Sequence, residues 1–148
     1  RKLVKLNLRC CERLRSFPYV NGESLEYLSL EYCSIFEKFP DILERIRPKL
    51  VIDTRESGIR EIPPSFFQHQ AHLTQLYLKK YFGNVVSLPS GICTLKGLVK
   101  LDVSKCSKLE SLPVEIGDLE NLEKLNASFT VISQPLSSIV RLNKLKDL

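Results

Sequence analysis

The stretch LVKLDVSKCSKLESLP, residues 98–113, decides how this chain is expected to fold. Its apolar residues recur at an LxxLxV spacing, and the unit closes with a Leu-Pro pair. In an extended segment, side chains two positions apart lie on the same face. We therefore expect Leu101 and Val103 to point inward from a short strand, and Lys100 and Asp102 to point outward.

The same unit recurs along the whole chain, which is the pattern of a repeat protein. Two of the copies, the third and the sixth, are a shorter variant with one residue fewer after the strand. Closing prolines follow at positions 18, 40, 63, 89, 113 and 135, between 22 and 26 residues apart. The six copies open at Leu3, Leu25, Ile52, Leu73, Leu98 and Leu122.

A single copy is expected to be unstable on its own. It offers roughly seven apolar side chains worth about 2 kcal/mol each when buried, against about 1–2 kcal/mol per residue for ordering the backbone. Stacking lets each strand pair with the next and each leucine layer cover its neighbour. The sequence therefore predicts an α/β solenoid, a right-handed curved array with a parallel sheet on its concave face.

The segments that return from one strand to the next carry a PxxIxxLxxL pattern, at residues 89–98 and 113–122. Apolar residues three positions apart predict a single helical or 3₁₀ turn. Short turns of this kind are expected to line the convex face of the array.

Four places depart from the repeat, and we expect each to change local geometry without breaking the stack. Lys49 and Leu50 stand one residue out of register, and the return after Pro18 is two residues shorter than in the other copies. Residues 81–85 are an insertion, and Pro135 takes the place of the last leucine.

Composition and charge fit one elongated domain covering residues 1–148. The chain has a net charge of +5, no Gly- or Ser-rich linker and no apolar run near the roughly 20 residues that span a bilayer. Its 5 cysteines are an odd number, which fits a reducing compartment better than a disulfide framework. Because neither end shows a polar capping unit, we expect a piece of a longer array.

The unit LxxLxLxxCxxLxxLPxxIxxLxxL resembles the leucine-rich repeat of plant intracellular immune receptors, and the variant with Thr or Ser resembles their alternate repeat. This resemblance covers the whole chain. It is closest at residues 24–30, 106–122 and 137–146, which are similar to repeats of TIR-NBS-LRR disease resistance proteins. The resemblance implies a protein-recognition module that senses a pathogen protein and helps to hold a nucleotide-binding switch inactive. The implied partners are a pathogen effector or viral protein and the receptor's own nucleotide-binding domain.

The resemblance places enzymatic activity and nucleotide outside this chain. An NAD-cleaving TIR domain and the nucleotide-binding switch belong to other parts of such receptors, and no GxxxxGK[ST] phosphate loop occurs in the 148 residues. We therefore expect no cofactor and no catalysis here. The family implies a cytoplasmic location, with the nucleus as a second one, and no membrane.

The side chains that point outward from the strands form the predicted contact surface. Basic side chains outnumber acidic ones there, and exposed aromatic residues beside arginine are common interface anchors. Equivalent positions in successive strands are expected to lie side by side, as in the series Lys5, Tyr27, Val51, Gln75, Lys100 and Lys124. The predicted partner contacts are Tyr27, Tyr32, Arg55, Tyr77, Lys79, Lys80, Lys100, Lys105 and Phe129.

Two alternatives stay open for this surface. Tyrosine packs well across strands, and alternating solvated charges are what any exposed sheet shows. The chain would also fit a leucine-rich repeat scaffold or adaptor that binds an unrelated acidic protein. Nucleic acid is not expected, because the aromatic residues do not alternate with basic ones in a stacking motif.

Cysteine and histidine give no sign of a metal or catalytic site. Zinc sites use paired CxxC ligands, which are lacking, and His69 and His72 have no nearby third ligand in sequence, so we expect a solvated pair. Cys10 should point outward as the more reactive thiol. Structural core positions are predicted for Cys11, Cys33 and Cys106, which occupy the same place in three copies.

Overall fold

A computed structural model of the chain describes residues 2–17, 19–42, 44–79, 86–133 and 137–148, apart from the side chain of Lys79. Several positions discussed above fall outside the described residues, namely Pro18, Lys80, the insertion at 81–85 and Pro135.

Short strands and single helical turns make up the regular structure of the described chain, and they alternate from β5 onward. The strands are β1 (Lys5–Asn7), β2 (Tyr19–Val20), β3 (Tyr27–Ser29), β4 (Asp41–Ile42), β5 (Lys49–Asp53), β6 (Gln75–Lys79), β7 (Lys100–Asp102) and β8 (Lys124–Asn126). The turns are the α-helical α1 (Pro64–Gln68) and the 3₁₀ turns η1 (Ser90–Thr94), η2 (Val114–Asp118) and η3 (Ser137–Arg141).

The main sheet has one strand from every copy. β1, β3, β5, β6, β7 and β8 lie in that order, each parallel to its neighbours. Parallel strands need a crossover connection, and the turns of these connections pack on one another, α1 on η1, η1 on η2 and η2 on η3. The predicted α/β solenoid, with a parallel sheet on one side and short turns on the other, is confirmed.

Inward residues of the six strands form one continuous apolar core. Leu28 lies between Leu6 and Ile52 in the sheet and is fully buried, as are Leu76 and Leu101. Each leucine layer is therefore covered by the layers of the neighbouring copies. No helix formed by the described residues is long and apolar enough to cross a membrane.

The register between β5 and β6 differs from the predicted one. Val51 lies opposite Tyr77 and not opposite Gln75, whereas the other strand pairs of the main sheet keep the expected alignment. Leu50 explains the difference, because β5 begins two residues before the start of β3, and this brings Leu50 into the core opposite Leu76. A slip of two residues keeps the same side chains inward, so the core tolerates it.

The return segments of the first two copies are extended, which corrects the expectation of helical turns along the whole convex side. β2 and β4 pair with each other as a second parallel sheet. The short return from Val20 to Leu25 leaves no room for the five-residue turn seen in η1 and η2. In the later copies the predicted turns are confirmed. Three of them begin directly after a proline whose φ angle suits a helix start, at Pro63, Pro89 and Pro113.

Gly58 passes close to the backbone of the preceding copy, and this contact gives a stability prediction. A Cβ atom at Gly58 would lie 2.7 Å from the carbonyl oxygen of Ser34 and 3.0 Å from that of Phe36. We expect Gly58→Ala to lower the free energy of unfolding by about 1–3 kcal/mol, since backbone atoms must move apart. Urea denaturation should show no such loss for Ser107→Ala, an exposed control. An equal effect of both substitutions would contradict the close packing of these copies.

Candidate interaction face

The side of the main sheet that faces away from the core is the candidate surface, and we call it the sheet face. Its side chains alternate along the strands with the buried leucines, as predicted. All of its following members are half-buried or exposed: Lys5, Tyr27, Val51, Gln75, Tyr77, Lys100, Asp102, Lys124 and Asn126.

Most of these strands end at a residue with a small polar side chain, and that side chain stabilises the local backbone. Each accepts a hydrogen bond from the backbone N–H group two residues later, over distances of 2.9 to 3.4 Å. Such local bonds stop a strand by offering the backbone another partner. In the fourth copy Tyr77 stands at this position. The strand-ending residues are Asn7, Ser29, Asp53, Asp102 and Asn126.

After five strands of the main sheet (β1, β3, β5, β7 and β8), the chain turns through one residue with a left-handed backbone. Together these five residues border the sheet face. Their φ angles lie between 51° and 64°, a conformation that costs a residue other than glycine roughly 1–2 kcal/mol. The N–H groups of three of them donate to a carbonyl of the next copy over 2.8 Å, which helps to hold the conformation. We call these residues the edge row: Cys10, Tyr32, Glu56, Lys105 and Phe129.

Arg55 is held by two buried carboxylates of its own chain. Its guanidinium donates two hydrogen bonds to Asp53, both 2.9 Å long, and its Nη2 lies 2.7 Å from a carboxylate oxygen of Glu31. Asp53 is 1% exposed and Glu31 is 4% exposed. Hydrogen bonds to Asp53 raise the pKa of Arg55 above its ordinary value. Arg55, a predicted partner contact, therefore already has its charge paired within the fold.

Arg9 completes this group from the first copy. Its Nε lies 3.3 Å from the second carboxylate oxygen of Glu31. Buried carboxylates are tolerated when cations and hydrogen bonds compensate them. We call the group of Arg9, Glu31, Asp53 and Arg55 the arginine–carboxylate cluster. Its charges are paired within the fold, whereas the sequence had left solvated charges as an open alternative.

Two of the predicted aromatic contacts are covered by cations of the same face. The Arg9 guanidinium lies 5.7 Å from the centre of the Tyr32 ring, and the Lys49 ammonium lies 5.5 Å from that of Tyr77. Such cation–π contacts fix the rings in place. Phe129 differs, since 77% of its surface is exposed.

A depression of about 440 Å³ opens on the sheet face over β6, β7 and β8. Lys100 and Lys124, which lie opposite each other on adjacent strands, line it together with Tyr77, Asp102 and Asp147. Lys124 was not among the predicted contacts. The signal that identifies it is a lysine at the same position of two consecutive copies.

The predicted contacts therefore fall into two groups on one face. Tyr27, Tyr32 and Arg55 lie over β1, β3 and β5, whereas Tyr77, Lys100, Lys105 and Phe129 lie over β6, β7 and β8. The backbone of Lys79 pairs with Asp53 in the sheet, while its side chain and the whole of Lys80 are outside the described part of the chain.

Comparison with known proteins agrees with this geometry. Over 97% of its length, the chain is 55% identical to the TMV resistance protein N of Nicotiana glutinosa. It is also 30% identical to a probable disease resistance protein of Arabidopsis thaliana, over 84% of the chain. The profile of the Leucine Rich Repeat family matches residues 24–46. This chain is a leucine-rich repeat array of the plant disease resistance family.

A solved structure supports the fold of the array. A leucine-rich repeat protein of Leptospira interrogans superposes with a TM-score of 0.53 and 22% identity, covering 99% of this chain and 42% of that one. The plant relatives are much longer than the array, which spans 12% of the Nicotiana protein and 8% of the Arabidopsis one.

The three cysteines that share a repeat position are not equally buried in the array. Cys33 and Cys106 lie in the core, whereas Cys11 in the first copy is half-buried. The Cys33 thiol donates to the carbonyl of Leu8 over 2.9 Å, which links two neighbouring copies. Cys10 is exposed, in the edge row.

We expected His72 to be solvated, but both of its ring nitrogens have hydrogen-bond partners within the protein. Its Nδ1 accepts a hydrogen bond from Nε of Arg45 over 3.2 Å, so its Nε2 carries the proton that it donates to the carbonyl of Ile46, 2.6 Å away. His69 is exposed. Among the described residues, no group of three or more His, Cys, Asp or Glu side chains is placed to hold a metal.

Removing Arg55 should destabilise the array. Arg55→Ala leaves two carboxylates buried with only Arg9 to compensate them, so we expect the free energy of unfolding to fall by about 2 kcal/mol. Arg15→Ala, at an exposed position, serves as the control and should change it little. If chemical denaturation shows the two variants to be equally stable, the arginine–carboxylate cluster does not stabilise the fold.

The rate at which a thiol reagent modifies each cysteine should be lower where the side chain is buried and the thiol pKa is raised. Burial raises the pKa of Cys93 to about 11 and also raises the pKa of Cys33, so their reactive thiolate forms are scarce at neutral pH. We expect iodoacetamide to modify exposed Cys10 first and to reach Cys93 faster as the pH rises toward 11. Mass spectrometry of peptides checks the order, and guanidinium chloride should abolish it. Equal rates in the folded protein would contradict the burial of these thiols.

Proposed function

We propose that this array is the protein-recognition part of an intracellular plant immune receptor. It senses a pathogen protein on the sheet face and helps to hold a nucleotide-binding switch inactive. The 55% identity with the TMV resistance protein N, over 97% of the chain, carries this proposal. The sheet face supports it, because aromatic and cationic side chains are what protein interfaces favour.

The contacts proposed for the pathogen protein are selected residues of the sheet face and the edge row, together with Arg55. Those with a described side chain are Tyr27, Tyr32, Arg55, Tyr77, Lys100, Lys105 and Phe129. Lys79 and Lys80 belong to the same proposal on sequence grounds. Cys11, Cys33 and Cys106 are proposed to be structural, since a thiol can fill a core position and donate weakly to a carbonyl.

The array works as one part of a longer protein in this proposal. Further repeats extend the sheet face, because six strands spaced about 4.8 Å apart span less than a standard interface needs. A TIR domain that cleaves NAD and a nucleotide-binding domain lie elsewhere in the receptor. Cytoplasm is the proposed location, with the nucleus as a second one, and the free cysteines at 10, 11, 33, 93 and 106 suit a reducing compartment.

A scaffold or adaptor that binds an acidic protein is the second candidate function. The net charge of +5 and the lysines in the depression favour it. The two functions differ in their consequence for the whole protein, because only a receptor couples binding at the array to a response.

Substitutions on the sheet face should abolish recognition in the receptor that carries this array. We expect Tyr27→Ala combined with Tyr77→Ala to remove the cell-death response of leaf cells to the recognised pathogen, because two interface anchors are lost. The matched control is Val114→Ala combined with Val140→Ala, at exposed positions of the convex turns η2 and η3. Protein level is measured in parallel by immunoblot.

The restraint of the switch needs a separate experiment. Deleting residues 1–148 from the receptor should give cell death without pathogen, since the proposed contact with the nucleotide-binding domain is lost. Silence after the deletion would contradict the restraint of the switch, and a normal response after the double tyrosine substitution would contradict recognition through these tyrosines. An unsubstituted full-length protein that gives no cell death with the pathogen would refute the immune function and leave the adaptor.

A further inference from the structure

The slip between β5 and β6 brings three side chains of the sheet face into one row. Val51 lies opposite Tyr27 of β3 on one side and opposite Tyr77 of β6 on the other. With the alignment of the other strand pairs, Val51 would lie opposite Gln75, and the two tyrosines would stand in different rows. We call Tyr27, Val51 and Tyr77 the aromatic strip. Each of its three strands lies between two other strands of the main sheet.

The aromatic strip leaves room for one apolar side chain of a partner. Neighbouring strands are about 4.8 Å apart, so the Cα atoms of Tyr27 and Tyr77 lie roughly 10 Å apart, with the smaller Val51 between them. All three side chains are half-buried and so keep part of their apolar surface open to solvent. A side chain placed over the valine can therefore contact the valine and both tyrosines at once.

Tyr77 is already ordered on its side of the strip. Its hydroxyl donates a hydrogen bond to Oε1 of Gln75 over 3.1 Å, and Nζ of Lys49 lies 5.5 Å from the centre of its ring. Ordering a side chain at the moment of binding costs affinity. Because these contacts exist within the fold, a partner that binds the strip avoids that cost at Tyr77.

The unpaired charges around the strip are positive. Over β1, β3, β5 and β6, the described charged side chains of the sheet face are Lys5, Lys49 and Asp53. Asp53 is buried and bound by Arg55, whereas the two lysines are exposed and form no ion pair with any described residue. Lys5 lies opposite one tyrosine of the strip, and Lys49 contacts the other. Charge complementarity therefore favours carboxylates on both sides of the bound side chain.

Asp102 of β7 lies opposite Tyr77 but has partners on the side away from the strip. One of its carboxylate oxygens accepts a hydrogen bond from the backbone N–H of Ser104 over 2.9 Å. The other accepts from the side-chain amide of Asn126, on β8, over 3.2 Å. Its carboxylate is therefore bound at the end of β7 and does not pair with either of the two lysines.

We propose that the aromatic strip binds a segment of a protein partner in which an aromatic side chain stands between acidic residues. The aromatic side chain lies over Val51 and contacts both tyrosines, and the carboxylates beside it pair with Lys5 and Lys49. This inference rests on the proposed function and specifies the chemistry of the segment that the sheet face recognises.

A protein segment fits the strip better than a nucleic acid does. Bases can stack on tyrosine rings, but binding of a nucleic acid strand depends on many basic contacts in series. Among the described residues of these four strands, two lysines flank the strip, and the other outward positions are neutral or, at Asp53, paired within the fold. Two lysines match the two carboxylates of a short acidic segment.

The test uses the whole 148-residue chain, labelled with ¹⁵N, and three short peptides of equal length. The first peptide has one phenylalanine between two glutamates, the second has glutamine in place of both glutamates, and the third has serine in place of the phenylalanine. We expect the first peptide to shift the amide resonances of Tyr27, Val51 and Tyr77 and to leave that of Asn126 unchanged. Affinity should fall roughly tenfold for the serine peptide and roughly threefold for the glutamine peptide.

Substitutions in the strip locate the contact. Val51→Thr replaces a methyl group by a hydroxyl of similar size and should weaken binding of the first peptide roughly threefold, because a polar group would then be covered. Lys5→Gln combined with Lys49→Gln should lower the affinity for the first peptide to that for the glutamine peptide. The matched controls are Val114→Thr and Lys124→Gln, at exposed positions outside the strip, and both should leave the affinity unchanged.

Four results would overturn the proposal. They are the absence of shifts in the strip, equal affinity for the three peptides, full affinity for the first peptide in the double lysine variant, and tighter binding of a single-stranded oligonucleotide at the strip than of that peptide. None of them affects the receptor experiment with Tyr27 and Tyr77. Recognition by the sheet face would then stand, without the preference for an aromatic side chain between acidic residues.

Discussion

The stacking of one inward leucine row on the next is the contact on which this molecule depends. Leu6, Leu28 and Ile52 follow one another across the sheet, and each is covered only because its neighbour is present. A single copy buries too little apolar surface to order its own backbone. Stability is therefore shared between neighbours, as in other solenoids.

Stacking of the copies fixes the backbone of the sheet face but does not determine which side chains it carries. Strand-ending residues such as Asn7 and Asn126 repeat one local hydrogen bond, and the edge row repeats one left-handed turn. Because these features come from the repeat, they occur whatever the outward side chain is. Tyr32, Lys105 and Phe129 therefore occupy equivalent places with quite different chemistry. Binding specificity in such a fold lies in side-chain identity and not in backbone shape.

Periodicity was enough to predict the strands, their parallel order and the later helical turns, because those depend on burial of residues close in sequence. The spacing could not predict the slip between β5 and β6. Leu50 and Ile52 both suit the inward face, so two alignments bury apolar residues and the choice depends on packing across copies. The extended returns of the first two copies were missed for a related reason, since β2 and β4 form only by pairing with each other.

Electrostatics on the sheet face was the least predictable part, because it depends on which charges meet across strands. Glu31 and Asp53 occupy outward positions of the repeat pattern, yet both are buried, because the Arg55 guanidinium binds both carboxylates. Arginine suits this role because its planar guanidinium binds two carboxylates at once.

Lysine on the strands of the later copies has a different effect. Its single ammonium group cannot bridge carboxylates in the same fork-like way, so neighbouring lysines stay exposed to solvent and to one another. Lys100 and Lys124 lie side by side on strands whose backbone matches that of the earlier copies. A structurally uniform sheet thus has an arginine–carboxylate network near one end, whose charges stabilise the fold, and two adjacent lysines near the other.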